Sequence, residues 1–322
     1  MKLGYVGSGP ISNFHLPALK SNGFDISAIG STKNSERCRN IADKFNLQEA
    51  LCEGGWEEVL EKDVDAYCIC IDTSATPSVL NEFLNKNKPI LVEKPIGWNK
   101  KSLKTILDHP MSNNIFVAYN RRFYRTSEAI KTHCESSSGG TIVLNIPDSI
   151  AGIRQFLVNG CHMIDLLRYI AGDFKIIHKT IKYNEKEDDI SSISALCENK
   201  KWNILINAHS LIPSNFSITV NSNLEVFELK PIEKFISYKG LEIIEPTKIE
   251  PIRKYMPKVD KMFVESSQLK PGFDLMYKCF KEFIYNGRSQ TYCSLHDAIL
   301  TLDTCWELLD CTIANQFNNF EK

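Results

Sequence analysis

The chain has 322 residues, enough for two domains of about 100–200 residues each, and its 43% hydrophobic and 24% charged content is that of a globular protein able to bury a full core. A formal charge of −1 gives no global field that would gather nucleic acid or an anionic membrane, so neither is an expected partner. No apolar run reaches the ~18 residues of a membrane span, and the first residues run into a strand without the pattern of a signal peptide, so a cytoplasmic protein is expected.

Residues 2–6 read as a buried strand, followed by Gly7-Ser8-Gly9-Pro10-Ile11-Ser12, a G-x-G-x-x-G turn with Ser in the third position. The first glycine permits the tight turn and the second lets a pyrophosphate approach the backbone. The third position needs only a small residue. The segment 11–21 has helical spacing and would aim its N-terminus at the phosphates. Gly7, Gly9, Pro10, Ile11 and Ser12 are therefore candidate dinucleotide contacts. The next strand covers 25–29. An NAD-preferring site ends this strand in Asp or Glu for the ribose hydroxyls. Here the chain reads Gly30-Ser31-Thr32-Lys33, with Arg37 a turn later. Hydroxyls with cations suit a 2′-phosphate, so Ser31, Thr32, Lys33 and Arg37 favour NADP over NAD; the alternative is that Lys33 and Arg37 are solvated charges at a helix start.

A helix over 36–46 and a short helix after Gly54-Gly55 lead to a strand at 66–71. Cys68 and Cys70 share one face of it, as small buried hydrophobes in a reducing compartment; the eleven cysteines show no metal-ligand spacing. Its exit loop, Asp72-Thr73-Ser74-Ala75-Thr76-Pro77, offers Asp72 and Thr73 to a cofactor. A helix at 78–87, a strand at 90–92, a helix at 99–107 and a strand at 115–119 complete an alternation that implies a doubly wound parallel sheet in residues 1–120. The strand at 90–92 delivers Glu93-Lys94-Pro95 at its carboxyl end, where open α/β sheets bind ligands. A solvated loop lysine is the bland alternative. After 115–119 stands Asn120-Arg121-Arg122-Phe123-Tyr124-Arg125, whose guanidinium groups can clamp anionic or hydroxylated groups or make structural ion pairs.

Residues 121–322 are patterned differently. A strand at 139–146 and a helix at 160–170, closed by Gly172, precede strands at 174–182, 190–197, 202–208, 215–221, 224–230 and 234–244. These last six read as an antiparallel sheet, making this an α+β domain. Two helices follow, 273–285 and 294–316, the latter opening on the capping pattern Ser-Leu-His-Asp, and both are free to pack back on the first domain. An open sheet of this size leaves a face to cover, which argues for a homodimer or homotetramer through it.

In order along the chain, G-x-G-x-x-S at 7–12, E-K-P at 93–95, N-R-R-F at 120–123 and G-x-H-x-x-D-L-L-R-Y-x-x-G from Gly160 to Gly172 resemble the Gfo/Idh/MocA oxidoreductases (glucose–fructose oxidoreductase, inositol dehydrogenase and relatives). The resemblance covers nearly the whole length. It implies an N-terminal Rossmann domain and a C-terminal domain whose large, mostly antiparallel sheet mediates oligomerisation. It also implies NAD(P)-dependent hydride transfer at a hydroxyl or ketone carbon of a sugar, polyol or sugar nucleotide, without a metal. Under it Lys94 binds the reacting oxygen, His162 is the acid/base partner and Glu93 orients Lys94 or the ribose side. Lys94, Asn120, Arg121, Arg122, Asn159 and His162 would hold the substrate. The chain departs from the family at Val158, where many members carry an Asp one turn before the His. It departs also in the loop after the 66–71 strand and in a short stretch between Gly140 and His162. These departures leave a second reading, a dinucleotide-binding sensor or homologue without hydride transfer.

Overall fold

The computed structural model describes residues 1–148, 152–184, 189–289 and 291–309. Strand β1 (Lys2–Val6), helix α1 (Ser12–Ser21), β2 (Asp25–Gly30), α2 (Glu36–Lys44), β3 (Ala50–Leu51), α3 (Trp56–Leu60), β4 (Ala66–Ile69), α4 (Thr76–Leu84), β5 (Ile90–Val92), α5 (Lys104–Leu107) and β6 (Ile115–Val117) alternate through the first part of the chain. After α6 (Arg125–Ser136) come β7 (Gly140–Asp148), the single turn α7 (Ile153–Gln155), a π-helical turn (Phe156–Gly160) and α8 (Cys161–Ala171). Strands β8 (Lys175–Asn184), β9 (Asp189–Glu198), β10 (Trp202–Ser210), β11 (Ser217–Ser222), β12 (Glu225–Leu229), β13 (Lys234–Ile244) and β14 (Lys254–Val264) precede α9 (Phe273–Asn286) and α10 (Leu295–Leu308). Two compact units result. Among the described residues, one joins 1–123 to 267–303; the other takes 124–266 and 304–309.

The first unit holds a six-stranded sheet in the order β3-β2-β1-β4-β5-β6, every pair parallel. This is the doubly wound Rossmann order, and it reverses between β1 and β4, where the crevice for a ligand opens outside the strand ends. Leu3 and Tyr5 alternate onto one face and join a core with Leu16 and Leu19 of α1 and with Phe273, Met276, Tyr277, Phe280 and Phe283 of α9. The α9 positions fall at helical spacing, so one face is apolar throughout. Each such side chain taken from water is worth about 1.5–3 kcal/mol. On the other face, Tyr67 of β4 packs edge-on against Phe83 of α4, ring centroids 4.7 Å apart. The expected helix at 99–107 contracts to α5, because Asn99 folds a turn ahead of it: its side chain accepts from the Ser102 N–H at 2.9 Å. The two-residue β3 was too short to show a pattern.

The second unit is built on eight strands, β14-β13-β12-β11-β7-β10-β9-β8, rather than six. All neighbours are antiparallel except β7 and β10, which run parallel. In β10, Trp202, Ile204, Ile206 and Ala208 are buried while Asn203 and Leu205 face out, the period of a half-covered strand. The helices α6 and α8 pack together, and α8 lies on β7. Neither α6 nor β14 is assigned from sequence alone. β14 carries Pro257 and is almost wholly exposed, so it lacks the alternation that marks a strand. The part of the last expected helix beyond residue 309 lies outside the described residues.

Candidate functional site

Gly7 leaves β1 with φ +132°, and a Cβ there would stand 2.1 Å from the carbonyl oxygen of Cys70, so only glycine makes this turn. At Gly9 a Cβ would meet nothing within 4 Å, which leaves the backbone open to a close-approaching group. The helix α1 that follows has no side-chain cap at its N-terminus. The turn borders a cleft of about 910 Å³, within the size of a cofactor site. Gly7, Gly9, Pro10, Ile11, Ser31, Thr32, Arg37 and Asp72 all line it. The Ser8 hydroxyl donates to the Ser31 hydroxyl at 3.1 Å and links the ends of β1 and β2. Five expected cofactor contacts do not line the cleft: Glu93 and Lys94 at the end of β5, and Ser12, Thr73 and Lys33. Ser12 is buried and accepts from the Tyr5 hydroxyl at 3.0 Å; Thr73 is buried; Lys33 is exposed, with its ammonium 3.8 Å from Glu57. The open backbone at Gly9, the uncapped helix and the cleft volume fit a dinucleotide.

At the end of β5, the Glu93 carboxylate is fixed at both oxygens. Oε1 lies 2.7 Å from His15 Nε2, and Oε2 accepts from the Lys94 backbone N–H at 3.0 Å. Burial alone would push this carboxyl up. The His15 hydrogen bond and charge, then the Lys94 ammonium and N–H, outweigh it and hold the group below the usual carboxylate range. His15 is fully buried on α1, and its Nδ1 bonds the Tyr277 hydroxyl of α9. That hydroxyl also meets Cys68 Sγ at 3.4 Å, and Cys68 meets Cys70 at 3.6 Å. Burial, then the neighbouring thiols, push the Tyr277 hydroxyl well up, and burial does the same to the Cys70 thiol; both stay protonated as donors. A ring nitrogen of His15 and the two sulfurs lie within 4.8 Å of one another, but both His15 nitrogens are already engaged, so the trio is a hydrogen-bond network.

The turn after β6 splits its polar residues between tasks. The Asn120 amide donates to the Pro271 carbonyl at 3.1 Å. Arg122 is buried, donating to the Tyr292 carbonyl at 3.0 Å with Asp297 at 3.6 Å, and so fastens the start of α10. Arg121 is half-buried. In the second unit, the π-turn before α8 carries Val158 and Asn159, and α8 then presents His162, half-buried, and Asp165, fully buried. A Cβ on Gly160 would come 2.8 Å from the Phe156 ring, so glycine lets the turn close on that ring. Irregular π-turns recur at functional sites.

Residues 1–120 match the model of an oxidoreductase family with an NAD-binding Rossmann fold, Gfo/Idh/MocA. The likeness to the Gfo/Idh/MocA oxidoreductases is thus shown for the first 120 residues. No curated protein matches the sequence. Solved structures resemble the whole chain in fold. A dehydrogenase (MviM) from Clostridium difficile is 16% identical with TM-score 0.77, over 96% of this chain and 98% of its own. The UDP-N-acetylglucosamine 3-dehydrogenase GnnA from Acidithiobacillus ferrooxidans is 13% identical with TM-score 0.74, over 95% and 96%. KijD10, a 3-ketoreductase from Actinomadura kijaniata solved with NADP, is 13% identical with TM-score 0.70, over 95% of each chain.

Beyond the expected residues, the Rossmann unit adds Ser8, Phe14, Ser35 and Trp56 to the cleft wall, and His15 and Tyr277 behind Glu93. A lone histidine in an amphipathic helix carries no signal of this, and Tyr277 is 262 residues away from it.

Proposed function

We propose that the protein is an NAD(P)-dependent oxidoreductase that moves a hydride between the nicotinamide and a hydroxyl or ketone carbon of a sugar-like substrate. The observation that carries the reading is Lys94. It leaves the carboxyl end of β5 on a backbone clamped by the largely buried Glu93 carboxylate, in the same Rossmann unit as the open glycine-turn cleft. The dinucleotide, when bound, supplies the hydride acceptor or donor, and Gly7, Gly9, Pro10, Ile11 and Asp72 would hold it. Lys94 binds the reacting oxygen and carries its proton, because an ammonium stabilises a developing alkoxide. His162 takes the second acid/base role on its chemistry, with Val158 offering no carboxylate beside it. Asn159 and Arg121 serve substrate binding.

NADP is the preferred form in this reading. No carboxylate ends β2, and Ser31, Thr32 and Arg37 line the cleft there. The names of GnnA and KijD10 support a sugar nucleotide or related sugar as substrate class. The ten described cysteines are all free and buried, which suits a reducing compartment. Among the described residues no helix is long and apolar enough to cross a membrane. The exposed apolar residues of the eight-stranded sheet support self-association through it.

Fluorescence titration with NADPH and NADH tests the cofactor, with tighter NADPH binding expected. On a panel of sugars and sugar nucleotides, Lys94→Ala is expected to lower kcat by about 10²–10⁴-fold with NADPH affinity nearly unchanged. Normal turnover by that variant would end the assignment.

A further inference from the structure

We propose that Trp56 is the platform on which the purine base of the bound dinucleotide stacks. In sequence Trp56 is only the first residue of a short helix after Gly54-Gly55; its place comes from two contacts. Its backbone N–H donates to the Ser31 carbonyl at 2.7 Å, which fastens the start of α3 to the exit of β2. The approach is close, since a Cβ on Gly30 would stand 2.8 Å from the Gly55 carbonyl oxygen. The indole then leans on Phe83 of α4, ring centroids 5.9 Å apart and tilted by 42°, and Phe83 is itself fully buried against Tyr67. Backed in this way the indole cannot withdraw into the core, and it stays half-buried in the wall of the cleft.

Aliphatic residues continue this wall. Ala75, Val79 and Phe83 are spaced i, i+4 and i+8, so they share one face of α4 and its N-cap. Phe83 meets the indole, while Ala75 and Val79 line the same cleft as Trp56. A flat aromatic ring with an aliphatic margin is a surface for another flat ring: a ribose or a phosphate asks for donors, whereas every base has a π-face. The donors are close by, because Ser31, Thr32 and Arg37 line this cleft too. Position selects the purine over the nicotinamide. In the sheet order β3-β2-β1-β4-β5-β6, Trp56 is tied to β2 on one side of the glycine turn, and Lys94 leaves β5 on the other. A dinucleotide laid over the turn with its nicotinamide toward Lys94 brings its adenine to the β2 side. The inference rests on the functional reading above, and its test is one of binding alone.

The test compares wild type with Trp56→Leu, which keeps apolar bulk without a π-face, and Trp56→Phe, which keeps a smaller ring. Affinities for NADPH, 2′,5′-ADP and ADP are measured by calorimetry, and indole fluorescence is followed as the two adenine nucleotides are added. Stacking predicts that binding weakens about tenfold or more in Trp56→Leu and returns to within about threefold of wild type in Trp56→Phe. The nucleotides are expected to quench indole fluorescence in wild type and not in Trp56→Phe, although that variant still binds them; a tryptophan that only fills the core would give no such difference. The proposal is overturned if Trp56→Leu binds the nucleotides as wild type does, or if the quench persists in Trp56→Phe. Wild-type-like thermal midpoints exclude misfolding as the cause of a loss, and the Trp56→Phe quench decides the matter should Trp56→Leu fail to fold. Tighter binding of ADP than of 2′,5′-ADP would correct the cofactor form while the ring contact stands. Wild type that binds no adenine nucleotide would sink the dinucleotide reading and this inference with it, whereas an inactive substrate panel beside the expected binding would sink hydride transfer alone.

Discussion

At Glu93, burial and hydrogen bonding pull in opposite directions, and hydrogen bonding wins. Its folded pKa lies below the unfolded value of ~4.3, so its contribution to stability is complete above that pH and is lost as pH falls through the folded pKa. His15→Leu removes the main counterweight to burial and leaves the carboxylate with the Lys94 contacts alone. The variant is expected to lose about 1.5–3 kcal/mol at neutral pH. Its acid-side loss of stability should also begin at higher pH, because the Glu93 pKa rises. Urea midpoints from about pH 3 to 7 read both effects; a wild-type acid limb in the variant would show that His15 does not keep Glu93 ionised. The place of Lys94 was legible in sequence, because the apolar run of β5 ends at Val92 and leaves Glu-Lys-Pro at a strand end; its role was not, since a solvated loop lysine fits the same position. Tyr277 was not legible, because what matters about it is its spatial neighbour, His15. For Arg121 and Arg122, adjacent and chemically identical, only the fold separates the half-buried residue from the one bonded to Tyr292 and Asp297.

Elements divide in the same way between local and tertiary information. The apolar spacing of α9 and the Ser294-Asp297 capping box are local, and both formed; the Ser294 hydroxyl donates to Asp297 Oδ2 at 3.0 Å and accepts from the Asp297 N–H at 3.1 Å. β3 and β14 exist through their partners, β2 and β13, and the sequence offered no periodicity for either. The helix carrying His162 was evident, but the π-turn ahead of it was not, since nothing in Phe156-Leu157-Val158-Asn159-Gly160 announces a wider ladder. Gly160→Ala forces a methyl against the Phe156 ring and should cost about 1–3 kcal/mol by overpacking. Because this turn and the dinucleotide cleft belong to different units, kcat is expected to fall with NADPH affinity intact. A parallel loss of NADPH binding would mean that the turn is not an independent substrate-side element.

For the whole molecule, the eight-stranded sheet leaves apolar side chains in water. Leu196 and Leu205 are register partners on adjacent strands, 44% and 46% exposed, and Ile177, Met256 and Met262 are more exposed still. Patches of this kind on a chain with so little net charge favour self-association. Leu205→Glu is expected to shift the mass measured by light scattering from oligomer toward monomer without lowering NADPH affinity. A wild-type protein already monomeric at micromolar concentration would refute the assignment of this face.

The return of residues 267–303 to the first unit has a consequence for biosynthesis. Translation delivers β1 to β6 early, yet the α9 side chains that close one face of their sheet are made only after the whole of β7 to β14. The Rossmann unit therefore cannot complete its core on the ribosome until α9 has emerged, so it cannot fold first as a finished N-terminal domain. Its contacts span some 260 residues of chain, the kind of closure that slows folding most. A nascent chain halted near residue 266 would expose Leu3, Tyr5, Leu16 and Phe116 to whatever chaperone is at hand. A minimal dinucleotide-binding fragment cannot be cut as residues 1–120; it has to be spliced from 1–123 and 267–303.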